Sequence, residues 1–264
     1  MRLLLLSDYA ALCGALDQAA QRYPGIDFCH RSPQTQLLTL PDFDFLLLAP
    51  LAEQAEVGQS PQPQQLQHWR KNLPELLDLC RSRNAGLLLI SSDCVFADQQ
   101  QGISELDPPA AEDLLAQELM QLETQVAQLE QHLILRTTPL LSTDPTGGLA
   151  QLVIRCRQHR APDNMDYRGL VSLDDLARVL LGMLLQVDAG AQANGLYHYT
   201  ATEPVSQTEL MHTLARLLNT KAYPADLSGT SRLGMNTQHI MDHFGIHPRA
   251  WRATLPELLE QLHV

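Results

Sequence analysis

Ser91, Ser92 and Asp93 close the apolar run Gly86 to Ile90 in the segment GLLLISSD. Two hydroxyls and a carboxylate at the carboxyl end of a parallel strand stand where α/β proteins meet their ligands, and they could orient a carbonyl, a hydroxyl or a water. The same groups could instead cap the strand end and bond the following loop. His239, His243 and His247 recur every four residues, a spacing that gathers imidazoles around a metal when one helix carries all three. Gly245 ends such a helix and Pro248 follows, so no metal centre is expected. Asp174 and Asp175 follow Ser172 and read as first-turn charges of a capped helix rather than as an acid/base pair. No G-x-S-x-G elbow supports a nucleophilic serine.

These groups need a frame, and the apolar pattern supplies one. Leu3 to Leu6 is a strand-length run, followed by ALCGALDQAAQRY with apolar residues at helical spacing. Phe43 to Ala49 and Gly86 to Ile90 flank the helical segment NLPELLDLCRSR, and HLILRTT, residues 132 to 138, is a further strand. Continuous apolar strands alternating with amphipathic helices predict an α/β fold, a Rossmann-type doubly wound parallel sheet covered on both faces. After Thr138 come Gly147-Gly148, the helical LAQLVIRCRQHR, a helix capped by Ser172, the strand GLYHYTA and a helix capped by Ser206 with Glu209 in its first turn. We expect a nucleotide-binding-like core over residues 1–140. Residues 141–264 form a small C-terminal α/β lobe interleaved with it in one structural unit. Residues 52–67, polar with two prolines, predict a surface loop. A helix is predicted over 114–131, with apolar residues at 115, 119, 122, 126 and 129.

Composition narrows the partners. Thirty acidic residues against 18 basic ones give a formal charge of -12, and Lys71 and Lys221 are the only lysines, so nucleic acid is not an expected partner. No apolar stretch reaches membrane-spanning length. Five cysteines, at 13, 29, 80, 94 and 156, are odd in number and without CxxC spacing, which predicts reduced thiols in a cytoplasmic protein.

Several segments together resemble the extended short-chain dehydrogenase/reductase superfamily, and within it the dTDP-4-dehydrorhamnose reductase group. They are ISSDCVFAD (90–98), ELDPPA (105–110), ILRTTPL (134–140), GLVSLDDLARVLLGML with GLYHYTATEPVSQTEL, and the closing SRLGMNTQHIMDHFGIHPRAWRATLPELL. The resemblance implies reduction of a nucleotide-sugar ketone by NAD(P)H. It also implies a glycine turn for the pyrophosphate and a Y-x-x-x-K pair that protonates the substrate. This chain departs at each point. The glycine positions fall on Ser7, Ala10 and Cys13, whose side chains would crowd a phosphate, with the charge of Asp8 nearby. The tyrosine and lysine positions fall on Leu115 and Leu119, and no Y-x-x-x-K occurs anywhere in the chain. Ser92 remains of the catalytic set. His30-Arg31 stand where relatives hold the NADP 2′-phosphate, although a solvated pair is expected without the glycine turn.

The expected protein is therefore a non-catalytic relative without a bound cofactor, acting as a ligand-binding, regulatory or interaction module. Its partners would be another protein, as in the regulatory subunit of methionine adenosyltransferase, a second copy of itself, or a nucleotide or sugar nucleotide. Ser91, Ser92, Asp93 and Thr138 are the candidates for lining the cleft. The alternative is an NAD(P)-dependent reductase, with NADP as cofactor, whose proton donor is a water ordered by Ser92 or the phenol of Tyr167.

Overall fold

A computed structural model describes residues 1–97, 100–163, 165–220 and 233–263. Its elements run β1 (Arg2–Leu6), α1 (Ala10–Ala20), β2 (Asp27–Arg31), β3 (Phe45–Leu48), α2 (Gln67–Arg83) and β4 (Gly86–Ser92). Next come α3 (Leu114–Val126), β5 (His132–Thr137), β6 (Leu140–Leu141), α4 (Gly148–Arg157), β7 (Asp166–Tyr167) and β8 (Val171–Ser172). The chain ends with α5 (Leu173–Asp188), β9 (Gly195–Tyr199), β10 (Val205–Ser206), α6 (Gln207–Leu217), α7 (Gln238–Phe244) and α8 (Trp251–Gln261).

Six strands form one sheet in the order β2-β1-β3-β4-β5-β9, each neighbouring pair parallel. Burial on both faces of the sheet explains why every position of β1 from Leu3 to Leu6 is apolar. Leu3 and Leu5 pack with Leu12 of α1, Leu180 of α5 and Phe244 of α7, while Leu4 and Leu6 pack with Leu73 of α2 and Leu122 of α3. This is the doubly wound sheet that the sequence predicts. The chain travels outward from β1 to β2 and then crosses to β3 on the other side, so a switch-point crevice opens beyond the carboxyl ends of β1 and β3.

A separate core joins α4, α6 and α8 through Leu152, Leu214, Trp251 and Leu255. With the two-stranded ladders β10-β7 and β6-β8 it makes the small C-terminal lobe. Ser172 and Ser206 cap their helices as expected, accepting the Asp175 N–H at 3.3 Å and the Glu209 N–H at 3.1 Å. No helix among the described residues is long and apolar enough to cross a membrane.

Two expectations need correction. The helix predicted over 114–131 ends at Val126, because the Gln128 and Leu129 N–H groups bond to the carbonyls of Gln125 and Val126 in a tighter turn that leads into β5. Segment 52–67 is not wholly a surface loop. The Val57 N–H donates to the Leu140 carbonyl at 2.9 Å and the Leu140 N–H to the Ala55 carbonyl at 2.8 Å, which carries buried Glu56 and Val57 across to the start of the lobe. Val57 packs in the lobe's core, and this long-range anchor is masked by the glutamines and prolines around it.

Candidate functional site

A cleft of about 620 Å³ lies between the end of β4 and the lobe, lined among others by Glu56, Ser92, Asp93, Cys94, Tyr167 and Arg168. Ser92 ends the strand, and its hydroxyl accepts the Cys94 N–H at 3.2 Å and donates to Asp93 Oδ1 at 3.4 Å. The serine thus both caps the strand end and borders the cleft. Asp93 faces Arg168, with Oδ2 to NH1 at 3.6 Å and both side chains nearly buried. Burial raises the Asp93 pKa, and the guanidinium opposes that rise.

Arg168 comes from the turn after β7. Its NH2 donates to the Ala97 carbonyl at 2.6 Å, its guanidinium lies 5.9 Å from the Phe96 ring centre, and its buried Nε has no hydrogen-bond partner. Gly169 sets this direction, with φ at +153° and a space in which a Cβ would meet Thr200 Oγ1 at 2.1 Å. Burial pushes the Cys94 thiol up to about 12 and the Tyr167 phenol up to about 12, so neither ionises readily near neutrality.

Ser91 and Thr138, both expected in the cleft, lie outside its lining. Successive side chains of a strand point to opposite faces, and Ser91 turns away from Ser92 to donate to Glu123 Oε1 at 2.5 Å. Glu123 is also held by buried Arg136, through Nε at 2.9 Å and NH2 at 2.6 Å. Thr138 Oγ1 pairs with Thr200 Oγ1 at 2.7 Å and ties the end of β5 to the chain after β9.

At the switch point the turn from β1 to α1 is closed by its own side chains. Ser7 Oγ accepts the Tyr9 N–H at 3.1 Å, and Cys13 Sγ lies 3.7 Å from the Ser7 carbonyl oxygen. Ala10 is the first residue of α1, and Ser32 Oγ donates to Asp8 Oδ2 at 3.0 Å. A crevice of about 300 Å³ here is lined by Asp8, Glu53, His68 and Trp69 among others, with no arginine or lysine among its described lining residues. The Tyr9 hydroxyl donates to Glu56, which also accepts from Ser142 Oγ at 2.6 Å and from the Gly148 N–H. A Cβ on Gly148 would meet the Val57 carbonyl oxygen at 1.9 Å, so the segment around Glu56 lies directly against the start of α4. His30 and Arg31 belong to β2 itself rather than following it, and both side chains are exposed.

Leu115 and Leu119 are buried, at 9% and 0% exposure, in the layer that holds Leu66, Trp69, Val95 and Phe96. Helix α7 ends at Gly245, φ +63°, leaving His247 beyond it, while His239 stacks on Tyr197 with ring centres 4.7 Å apart. Among the described residues no group of three or more His, Cys, Asp or Glu is placed to hold a metal. Sequence reasoning missed Glu56 and Arg168. The available signals were a valine beside the glutamate in a polar stretch and a glycine after the arginine, both too common to single them out.

A family model described as the RmlD substrate binding domain matches residues 70–264. No curated protein matches the chain. Among solved structures, a dTDP-4-dehydrorhamnose reductase from Clostridium acetobutylicum is similar at 18% identity and TM-score 0.77 over 100% of both chains. A dTDP-4-dehydrorhamnose reductase from Bacillus anthracis, solved in complex with NADP, is similar at 15% identity and TM-score 0.71, over 98% of this chain and 99% of that one. A UDP-glucose 4-epimerase from Thermotoga maritima, solved with UDP-glucose, shares 13% identity at TM-score 0.78, over 100% of this chain and 99% of that one. At these identities the likeness establishes the fold.

Proposed function

Because the chain belongs to the RmlD substrate binding domain family, we propose that it is a non-catalytic member, a ligand-binding or regulatory module that keeps the fold and the cleft without the redox chemistry. The observation that carries this reading is the hydrocarbon at Leu115 and Leu119. Reduction of a sugar ketone needs a phenol that protonates the oxygen as hydride arrives, and an ammonium that lowers the phenol's pKa. Two leucines packed against Val95 and Phe96 can move no proton. Tyr167 is no substitute, since burial shifts its phenol upward, away from the range a donor near neutral pH requires.

The switch point supports the same reading. A pyrophosphate needs free backbone N–H groups at the helix start and a favourable charge. Here the Tyr9 N–H is taken by Ser7, while Asp8 and Glu53 place carboxylates along the crevice. The occupied Tyr9 N–H and the carboxylates of Asp8 and Glu53 speak against an NAD(P) site here.

Titration with NADH and NADPH, followed by nicotinamide fluorescence, is expected to show no saturable binding, and a dTDP-4-keto sugar is expected to show no turnover. Cofactor binding accompanied by oxidation of NADPH would sink the reading. Pull-down and size-exclusion chromatography address the protein partner or homodimer that remains open to such a module.

A further inference from the structure

Away from the cleft, we infer that α7 carries a two-histidine site for a divalent first-row transition ion such as Zn²⁺, Ni²⁺ or Cu²⁺. The three-histidine set that the spacing offers is broken at Gly245, which leaves His247 beyond the helix. Its first two members stay together. His239 and His243 stand four apart on α7, a spacing that brings side chains together on one helix face, and their ring centres lie 4.2 Å apart. Two nitrogens on one ion, each bonded at about 2.1 Å, are separated by about 3 Å. Imidazoles at this ring separation reach that spacing by small side-chain rotations. His239 is half-buried and His243 exposed, so an ion can approach from solvent. No third His, Cys, Asp or Glu is grouped with them among the described residues, and water completes the coordination of an exchangeable ion.

Tyr197 provides the independent observation. It has no exposed surface, its ring stacks on His239 with centres 4.7 Å apart, and its hydroxyl lies 3.0 Å from His243 Nδ1. A metal-bound imidazole is commonly held through its other ring nitrogen, which fixes the ring and its tautomer. When the phenol proton goes to the Asn194 carbonyl, 3.4 Å away, the Nδ1–H of His243 donates to the phenol and Nε2 keeps its lone pair for a metal. One buried tyrosine thus holds both rings from β9, the edge strand against which α7 packs. Helix α7 has only seven residues, too few for a helix that is stable by itself. A chelate between residues four apart strengthens the turn that sets Ile240 and Phe244 into the core beneath Leu3 and Leu5.

The test is calorimetry on the full, untagged chain with nickel, zinc and magnesium chloride. A single equivalent of Ni²⁺ or Zn²⁺ is expected to bind in the micromolar range, with Mg²⁺ silent because it prefers oxygen ligands to imidazole. His239→Ala and His243→Ala should each weaken Ni²⁺ binding at least about tenfold, and His247→Ala should leave it unchanged. All three histidines are exposed or half-buried, and a circular dichroism spectrum matching the parent shows that the fold is kept. Tyr197→Phe keeps the ring and removes the hydroxyl, and is expected to weaken binding by about tenfold as well. Silence from both Ni²⁺ and Zn²⁺ would overturn the inference, as would an affinity that either His239→Ala or His243→Ala leaves unmoved, or an equal loss in His247→Ala. An unchanged affinity in Tyr197→Phe would overturn the orienting role of the phenol.

Discussion

His198 has no exposed surface and stands edge-on to Phe96, ring centres 5.6 Å apart, while its backbone N–H donates to Glu105. Burial, and after it the Arg136 guanidinium, pushes the imidazole from 6.5 down to about 3. Because the folded-state value lies below the unfolded one, unfolding takes up a proton at any pH between them. The contribution to stability is intact above about 6.5 and is lost as pH falls toward 3, by at most about 1.4 kcal/mol per pH unit. Thermal unfolding followed by circular dichroism from neutral to mildly acidic pH is expected to show this fall, and His198→Phe to flatten it. A variant that kept the parent's slope would assign the acid sensitivity to other groups. The resemblance set this histidine in GLYHYTA, but nothing local distinguishes a buried neutral imidazole from an exposed one.

Helix α3 is the element on which the proposed non-catalytic role rests. Its apolar stripe was legible because residues three and four apart share a face, and Leu115, Leu119, Leu122 and Val126 are all buried as that spacing requires. Its end was not legible, since the turn at Gln128 and Leu129 answers to where β5 begins. Restoring the amine alone, as Leu119→Lys, would place an ammonium at a position with no exposure, and the acid one turn on, Glu123, is already engaged by Arg136 and Ser91. The expected cost is roughly 3–5 kcal/mol, read as a lower urea midpoint. Adding Leu115→Tyr should yield no turnover, because the turn at Ser7 is unchanged. An undiminished midpoint for Leu119→Lys would mean that the helix can turn this position to solvent.

At the scale of the molecule, the two halves of the chain share one sheet. β9, from the second half, pairs with β5, and helices α5 and α7 cover the face that bears Leu3, Leu5 and Leu88. A fragment of residues 1–140 would lose that cover and is expected to stay unfolded or molten, with poorly dispersed amide resonances and dye-binding apolar surface. Sharp, dispersed resonances from the fragment would show instead that the first half holds its own core. The cleft depends on the same interleaving, since Asp93 belongs to one half and Arg168 to the other.

The sequence by itself determined the class of fold, the helix caps at Ser172 and Ser206, and the absence of any Y-x-x-x-K spacing. All of these reside in residue types and in periods of two and of three to four, which are set within a few residues of chain. Only the tertiary structure decided that Ser91 and Thr138 leave the cleft, that Glu56 is buried at the start of α4, and that Arg168 enters to face Asp93. Glu56 meets the Gly148 N–H across 92 positions of sequence, and Arg168 reaches the Ala97 carbonyl across 71. Contacts of that range are chosen by where loops cross at the end of the sheet, and the local pattern carries no record of it.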